Sequence, residues 1–494
     1  MFDDCAVQSP GTRAAARSAG LCASDIEAMA RSLVDASDTA ERAVTLDDAA
    51  RIDAIRALEE LKSTAAAAQA RLSVEFADSQ VAAQASVRVP AARRGRGVAA
   101  QIALARRESP VRGGRHLGLA RALTREMPQT YAALQHGLLS EWRATLLVRE
   151  TACLSAEDRA EVDRRIAADT GAVEGWGDRR LIAETRKLTY KIDPESVVRR
   201  ARKAESERNV TTRPAPDTMC YLTGLLPVAQ GVACHVALMR AADAARAAGD
   251  ERSRGQVMAD TLVERVTGQA AAAGPPVRVN LTMSDRSLLG GDSEPAHLEG
   301  YGTVPAQWAR DLVRHAASEV STGLATGEAS STSDATGSTG SGGAGAWIRR
   351  LFSNPETGEL VAMTSRSRLV PKGLADFIAT RDRTCRTPWC DAPIRHSDHV
   401  VPADAGGETS DVNGEGLCEA CNYAKQAPGW RARPSPGPRH AVESTTPTGH
   451  RYRSIAPRAP GSDPPDPMPI KRRPPITLEL YRCDVELRWA PDVA

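Results

Sequence analysis

The reading of this chain turns on residues Cys385–Trp430, CRTPWCDAPIRHSDHVVPADAGGETSDVNGEGLCEACNYAKQAPGW. Four cysteines fall there in two close pairs, Cys385-x4-Cys390 and Cys418-x2-Cys421. Two short turns can bring four thiolates to about 2.3 Å from one ion, so the pairs point to a tetrahedral structural zinc site. Asp398-His399 and Asn413 lie between the pairs, and Asn422 follows the last cysteine directly. A cysteine clamp of this kind can hold an acid, an imidazole and two amides rigid enough for chemistry.

The order of these polar residues resembles that of the HNH endonucleases, whose fold is a ββα-metal module. In that family an Asp-His or His-His pair ends the first strand, an Asn lies in the loop before the helix, and a His or Asn on the helix completes the site. Asp398-His399, Asn413 and Asn422 stand in those places, with Asn422 where the family name has its last histidine. Val400-Val401-Pro402, Gly406-Gly407 and Lys425 agree with the same pattern. The resemblance implies hydrolysis of DNA phosphodiester bonds, with products carrying 5′-phosphate and 3′-hydroxyl ends.

Such hydrolysis needs an activated water, a neutralised phosphate and a stabilised leaving oxygen, and one divalent ion can meet the last two needs. Mg²⁺ or Mn²⁺, as hard ions, suit the Asp398 carboxylate and the Asn422 amide oxygen. His399 follows Asp398 on a strand, so the two side chains point to opposite faces. Its imidazole, with a reference pKa of about 6.5, suits a general base. Asn413 is placed to fix the loop and so orient His399. Lys425, one helical turn beyond Asn422, reads as a phosphate contact or as a solvated surface lysine. His396 reads as a support for the strand. A competing reading keeps the zinc and drops the chemistry, leaving a non-catalytic DNA- or protein-binding module.

At 494 residues the chain has room for two or three domains. Its formal net charge of +2 argues neither for nor against nucleic acid, so any basic footprint must be local. Only four Phe are present, which disfavours a base-stacking single-strand binder. The six cysteines outside the clamp are scattered singly, and MFDDCAVQSP has no signal-peptide character. No run reaches the ~18 apolar residues of a membrane helix. The expectation is a cytoplasmic protein with no membrane partner.

Outward from the clamp, the expected organisation is a disordered segment over 1–23, a helical domain over 24–320 and a Gly/Ser/Thr-rich tether over 321–346. A module over 347–430 then carries a hairpin at 347–364 and a helix at 371–381. A Pro/Arg-rich, mostly disordered tail follows over 431–494. The helical domain is mainly α with a few strands. Asp47-Asp48 opens a helix whose Ile52, Ile55, Leu58 and Leu61 form one apolar stripe. Ser155 and Asp158 read as a capping box. Asp193-Pro194 starts another helix, and strands are expected near 219–223 and 277–282. Arginines cluster from Arg88 to Arg115; a DNA-contacting loop is one reading, and a solvated loop with an exposed helix face is the favoured one.

The helices around Met127-Pro128 and Gly137-Leu138, the strand from Val277 and the turn from Gly302 to Pro305 resemble the domain of unknown function 222. That domain precedes HNH modules in actinobacterial proteins. It implies no catalytic residue of its own, so His116, His136 and His235 are read as ordinary histidines. Double-strand cutting asks for two active sites, which would point to a homodimer on DNA.

Overall fold

Residues 22–38, 47–268, 280–314 and 370–459 are described by a computed structural model. The N-terminal segment, the 321–346 tether, the 347–364 hairpin and the chain beyond residue 459 lie outside the described residues. The first helices are α1 (Ala23–Asp38) and α2 (Asp48–Ser86). Asp47 caps α2 by accepting the Ala50 amide at 2.7 Å. Among the described residues nothing covers the apolar stripe of its first turns: Ile52, Ile55, Leu58 and Leu61 are 45–63% exposed. Burial begins only at Ser63 and uses small residues, Ala66, Ala67 and Ala77, with Val74. These let α2 lie close against the helices that follow.

Those helices are α3 (Val98–Arg106), α4 (Pro110–Glu126), α5 (Pro128–Gln135), α6 (Glu141–Glu150), α7 (Ala156–Ala167), α8 (Asp178–Ile192) and α9 (Pro194–Ser206). Ser140, Ser155 and Asp193 each accept the backbone N–H three residues on, which explains where α6, α7 and α9 begin. The core between them is built from Leu123, Met127, Leu134, Leu147, Val162 and Leu181. Asp163 of α7 is buried, and its carboxylate accepts the Gln129 and Thr130 amides and the Thr130 hydroxyl. A carboxylate thus satisfies the open N–H groups at the positive end of α5.

The chain continues as β1 (Asn209–Pro214) and β2 (Cys220–Leu225), an antiparallel pair, and then α10 (Val228–Ala247) and α11 (Arg254–Thr267). Cys220–Leu225 meets the strand expected near 219–223, while its partner β1 had no expectation attached. A small sheet follows from β3 (Leu281–Thr282), β4 (Ala296–Leu298) and β5 (Gly302–Val304), with α12 (Asp285–Leu289) between its first strands. Residues 306–314 open a further helix, α13. The protein is mainly helical with a few strands. Among the described residues, no helix is long and apolar enough to cross a membrane.

The C-terminal part starts with α14 (Lys372–Asp382), which buries Leu374 and Ile378. Next come β6 (His396–His399), β7 (Gly414–Leu417) and α15 (Glu419–Lys425). Strands β6 and β7 pair antiparallel with Asp398 opposite Glu415 and His399 opposite Gly414. Residues 431–455, expected to belong to a disordered tail, instead form β8 (Arg431–Ser435), β9 (Ala441–Thr445) and β10 (Arg451–Ile455), a meander with β9 in the middle. Their Arg and Pro content hides a period-two alternation, in which Val442 and Tyr452 turn inward.

The helical part and the cysteine module touch. Helix α15 packs against α3 and α4. Gly97, at the start of α3, has φ +78°, and a Cβ there would lie 2.5 Å from Trp430 Nε1 and 3.0 Å from Ala427 Cβ. Only glycine meets both the backbone and the space requirement. The Thr448 hydroxyl, in the β9–β10 turn, donates to Gln101 Oε1 at 3.2 Å.

Candidate functional site

Cys385 and Cys390 come from the turn before β6, and Cys418 and Cys421 from the start of α15. All four are buried, and their sulfurs lie within 4.8 Å of one another. The Cys390 sulfur is 3.6 Å from Cys418 and 3.5 Å from Cys421. A tetrahedron with metal–sulfur bonds of about 2.3 Å has edges of about 3.8 Å, so the cluster is the right size for an ion such as zinc. Cys418 is also the N-cap of α15, accepting the Cys421 amide at 3.5 Å. Hydrogen bonds from Cys390 and Cys421 pull the Cys385 thiol down to about 2. The bond to Cys385 pushes Cys390 up to about 12 and raises Cys421 as well. A divalent cation binds thiolates, so its entry would displace the protons these sulfurs carry.

Beside this cluster, α15 lies on β6 and brings three of the sequence-derived residues to one place. Lys425 donates from Nζ to Asp398 Oδ2 at 2.9 Å, to Glu415 Oε1 at 2.7 Å and to the His399 carbonyl. Its side chain is only 16% exposed, so it faces inward onto carboxylates and not outward to solvent. Glu415 is buried; burial pushes its carboxyl pKa up, and the nearby Lys425 charge opposes that shift. Asn422 is buried one turn before Lys425, and its Oδ1 accepts from Gln426 Nε2 at 3.3 Å.

On the other side of β6, His399 is half-buried with Nε2 2.8 Å from the buried Thr409 hydroxyl. Asn413 is buried and ties the 400–413 loop shut. Its Oδ1 accepts the Val401 amide at 2.8 Å, and its Nδ2 donates to the Val401 and Glu408 carbonyls at 3.0 and 2.8 Å. Gly407 lies against this knot: a Cβ there would sit 2.7 Å from Asn413 Nδ2 and closer still to the Val401 carbonyl oxygen.

Several residues that hold this arrangement escaped sequence reasoning. Arg381 and Asp382, at the end of α14, are fully buried and bonded to each other at 2.7 and 3.1 Å. Arg381 also donates to the Asp411 and Gly414 carbonyls at 2.6 and 2.7 Å, and Asp382 accepts the Gly416 amide at 2.8 Å. His440 bonds to the Val412 carbonyl at 3.0 Å, and burial pushes its pKa down to about 4. Together they fix residues 411–417 from beneath. The register of β6 on β7 was the one available signal for Glu415; the others become visible only when α14 is packed.

Compared with known families, residues 55–335 match the domain of unknown function (DUF222). This covers more than half of the 494 residues, and the chain belongs to that family. The matched stretch ends before the cysteine module. No curated protein and no solved structure matches the chain.

Proposed function

We propose that the C-terminal module is a metal-dependent endonuclease of the HNH type, with a ββα-metal fold, acting on DNA. The observation that carries the reading is one juxtaposition. Asp398 and His399 end a strand, Asn413 knots the loop behind them, and α15, which starts in the four-cysteine cluster and carries Asn422, lays Lys425 on Asp398. The donor chemistry of Asp398 and Asn422 suits Mg²⁺ or Mn²⁺, which would neutralise phosphate charge and stabilise the leaving oxygen. Where His399 Nε2–H donates to Thr409, Nδ1 keeps the lone pair that takes a proton from the attacking water. The water oxygen bonds to phosphorus as the P–O3′ bond breaks, leaving 5′-phosphate and 3′-hydroxyl ends. Asn413 acts as a positioning residue, because it holds the loop that carries Thr409.

The test is plasmid cleavage with Mg²⁺ or Mn²⁺, run beside His399→Ala, with zinc content measured in both. Losing a general base should lower the rate by roughly 10²–10⁴-fold while zinc is retained. Equal digestion by the two preparations would sink the assignment.

One observation favours a second reading, a zinc-stapled binding module without catalysis. Lys425 already neutralises Asp398 and Glu415, and an ammonium there competes with a divalent ion. Lys425→Met separates the two readings. A nuclease should bind Mn²⁺ more tightly once Asp398 is released, whereas a non-catalytic module should only lose stability.

A further inference from the structure

The outer face of the β8–β9–β10 sheet carries a charge pattern that the site does not use. Strand side chains alternate between faces. The register puts Arg431 and Arg451 on either side of Thr445, and Arg433 and Arg453 on either side of Glu443. These six side chains therefore share one face, and all four arginines are exposed. The opposite face is committed to packing. Tyr452 meets Trp389 edge-on at 6.1 Å, and Ala432, Ser444 and Tyr452 help line a cavity of about 30 Å³ against α3 and α4.

Four guanidinium groups face a single carboxylate on this surface. Glu443 is taken up by Arg433 at 2.7 and 3.1 Å, and Arg453 donates to the Pro436 carbonyl at 2.5 Å. Arg431 and Arg451 have no ion pair among the described residues. Strand spacing sets the arginines about 10 Å apart across β9 and about 7 Å apart along a strand. At such spacing salt screens their mutual repulsion only in part, since the Debye length is about 8 Å in physiological salt. The remaining repulsion between these like charges is Coulombic, and a polyanion laid across them would remove it. Guanidinium forks match phosphate oxygens in geometry as well as charge. The residues between them, Thr445 and Glu443, are polar, and Ile455 is a single exposed apolar side chain at the end of the row, far short of the apolar face by which an interfacial element enters a bilayer.

We infer that this arginine face binds the sugar-phosphate backbone of duplex DNA and seats it on the module, an inference that rests on the nuclease reading for its choice of polyanion. Five residues separate the end of α15 from the start of the sheet, so the seat and the cleavage site belong to one folded unit. Contacts of this kind are independent of base sequence and sensitive to salt.

The experiment is a salt titration of full-length protein on a short fluorescent duplex, read by anisotropy without added divalent ion so that no cleavage occurs. Losing two phosphate contacts in Arg431→Ala/Arg451→Ala should shrink the slope of log K against log salt by about 1.8. Arg431→Lys/Arg451→Lys should keep the wild-type slope, and circular dichroism and zinc content should match across the three proteins. An unchanged slope in the alanine pair overturns the inference, as does wild-type binding to anionic phospholipid vesicles but not to DNA. Loss of slope in a protein that cuts no plasmid would sustain the surface and remove the nuclease reading. Plasmid cleavage with an unmoved slope would do the reverse.

Discussion

Asp382→Ala is the sharpest test of how the site is held. The Asp382 carboxylate accepts two bonds from Arg381 and one from the Gly416 amide, and Arg386 lies 3.8 Å away; its side chain has no solvent exposure. Removing one partner of a buried pair leaves uncompensated charge and costs about 3–5 kcal/mol. The Gly416 N–H, newly orphaned, adds to that without being strictly additive. Arg381 keeps the Asp411 and Gly414 carbonyls as acceptors, so the lower part of the range applies. About 3 kcal/mol corresponds to an opening of β7 that is roughly a hundredfold more frequent. Hydrogen exchange over residues 411–417 reads this directly, because local opening governs amide protection. Asp382→Asn keeps an oxygen for Gly416 but loses the charge, and should fall between wild type and alanine. The exposed Asp404→Ala provides the control. The reasoning fails if Asp382→Ala differs from it by less than about 0.5 kcal/mol, the usual spread of surface substitutions.

Other consequences are checked more simply. Asn413→Asp should destabilise the loop more than Asn413→Ala, because a carboxylate would then face the Val401 and Glu408 carbonyls where Nδ2 now donates; proteolysis within 400–413 reads the difference. His440 titrates near 4 in the fold against an ordinary 6.5. The unfolded chain therefore takes a proton first as pH falls, and stability drops between about pH 6.5 and 4 by up to about 3 kcal/mol. The raised carboxyl of Glu415 works in the opposite sense, so the His440 contribution is the part of the acid-side loss that disappears in His440→Gln during urea melts at several pH values. Elemental analysis should find one zinc per chain, absent from Cys390→Ser, and a chelator should reduce the helical signal of α15, whose N-cap is Cys418.

What could be read in advance follows a physical divide. Cysteine pairs, helix caps such as Asp47, Ser155 and Asp193, and the alanine-rich course of α2 are local, and local chemistry is written in order along the chain. The Ile52–Leu61 stripe has helical period but no cover among the described residues, since period alone says nothing about what packs against it. Strands β8 to β10 were hidden because arginine and proline suggest a solvated tail even when they alternate with Val442 and Tyr452. The Arg381–Asp382 pair looks like two surface charges until α14 is laid beneath β7. Lys425 could be placed on the helix but not aimed, because its direction depends on Glu415, ten residues earlier and across the sheet.

The Gly97–Trp430 contact bears on how this protein should be dissected. An indole belonging to the cysteine module rests in a hollow that a backbone without Cβ leaves open in the DUF222 region. A fragment starting after that region would carry the ring without its socket, an invitation to self-association. Trimmed proteins therefore need Trp430 replaced by a smaller polar side chain before clumping or inactivity in them is credited to the chemistry.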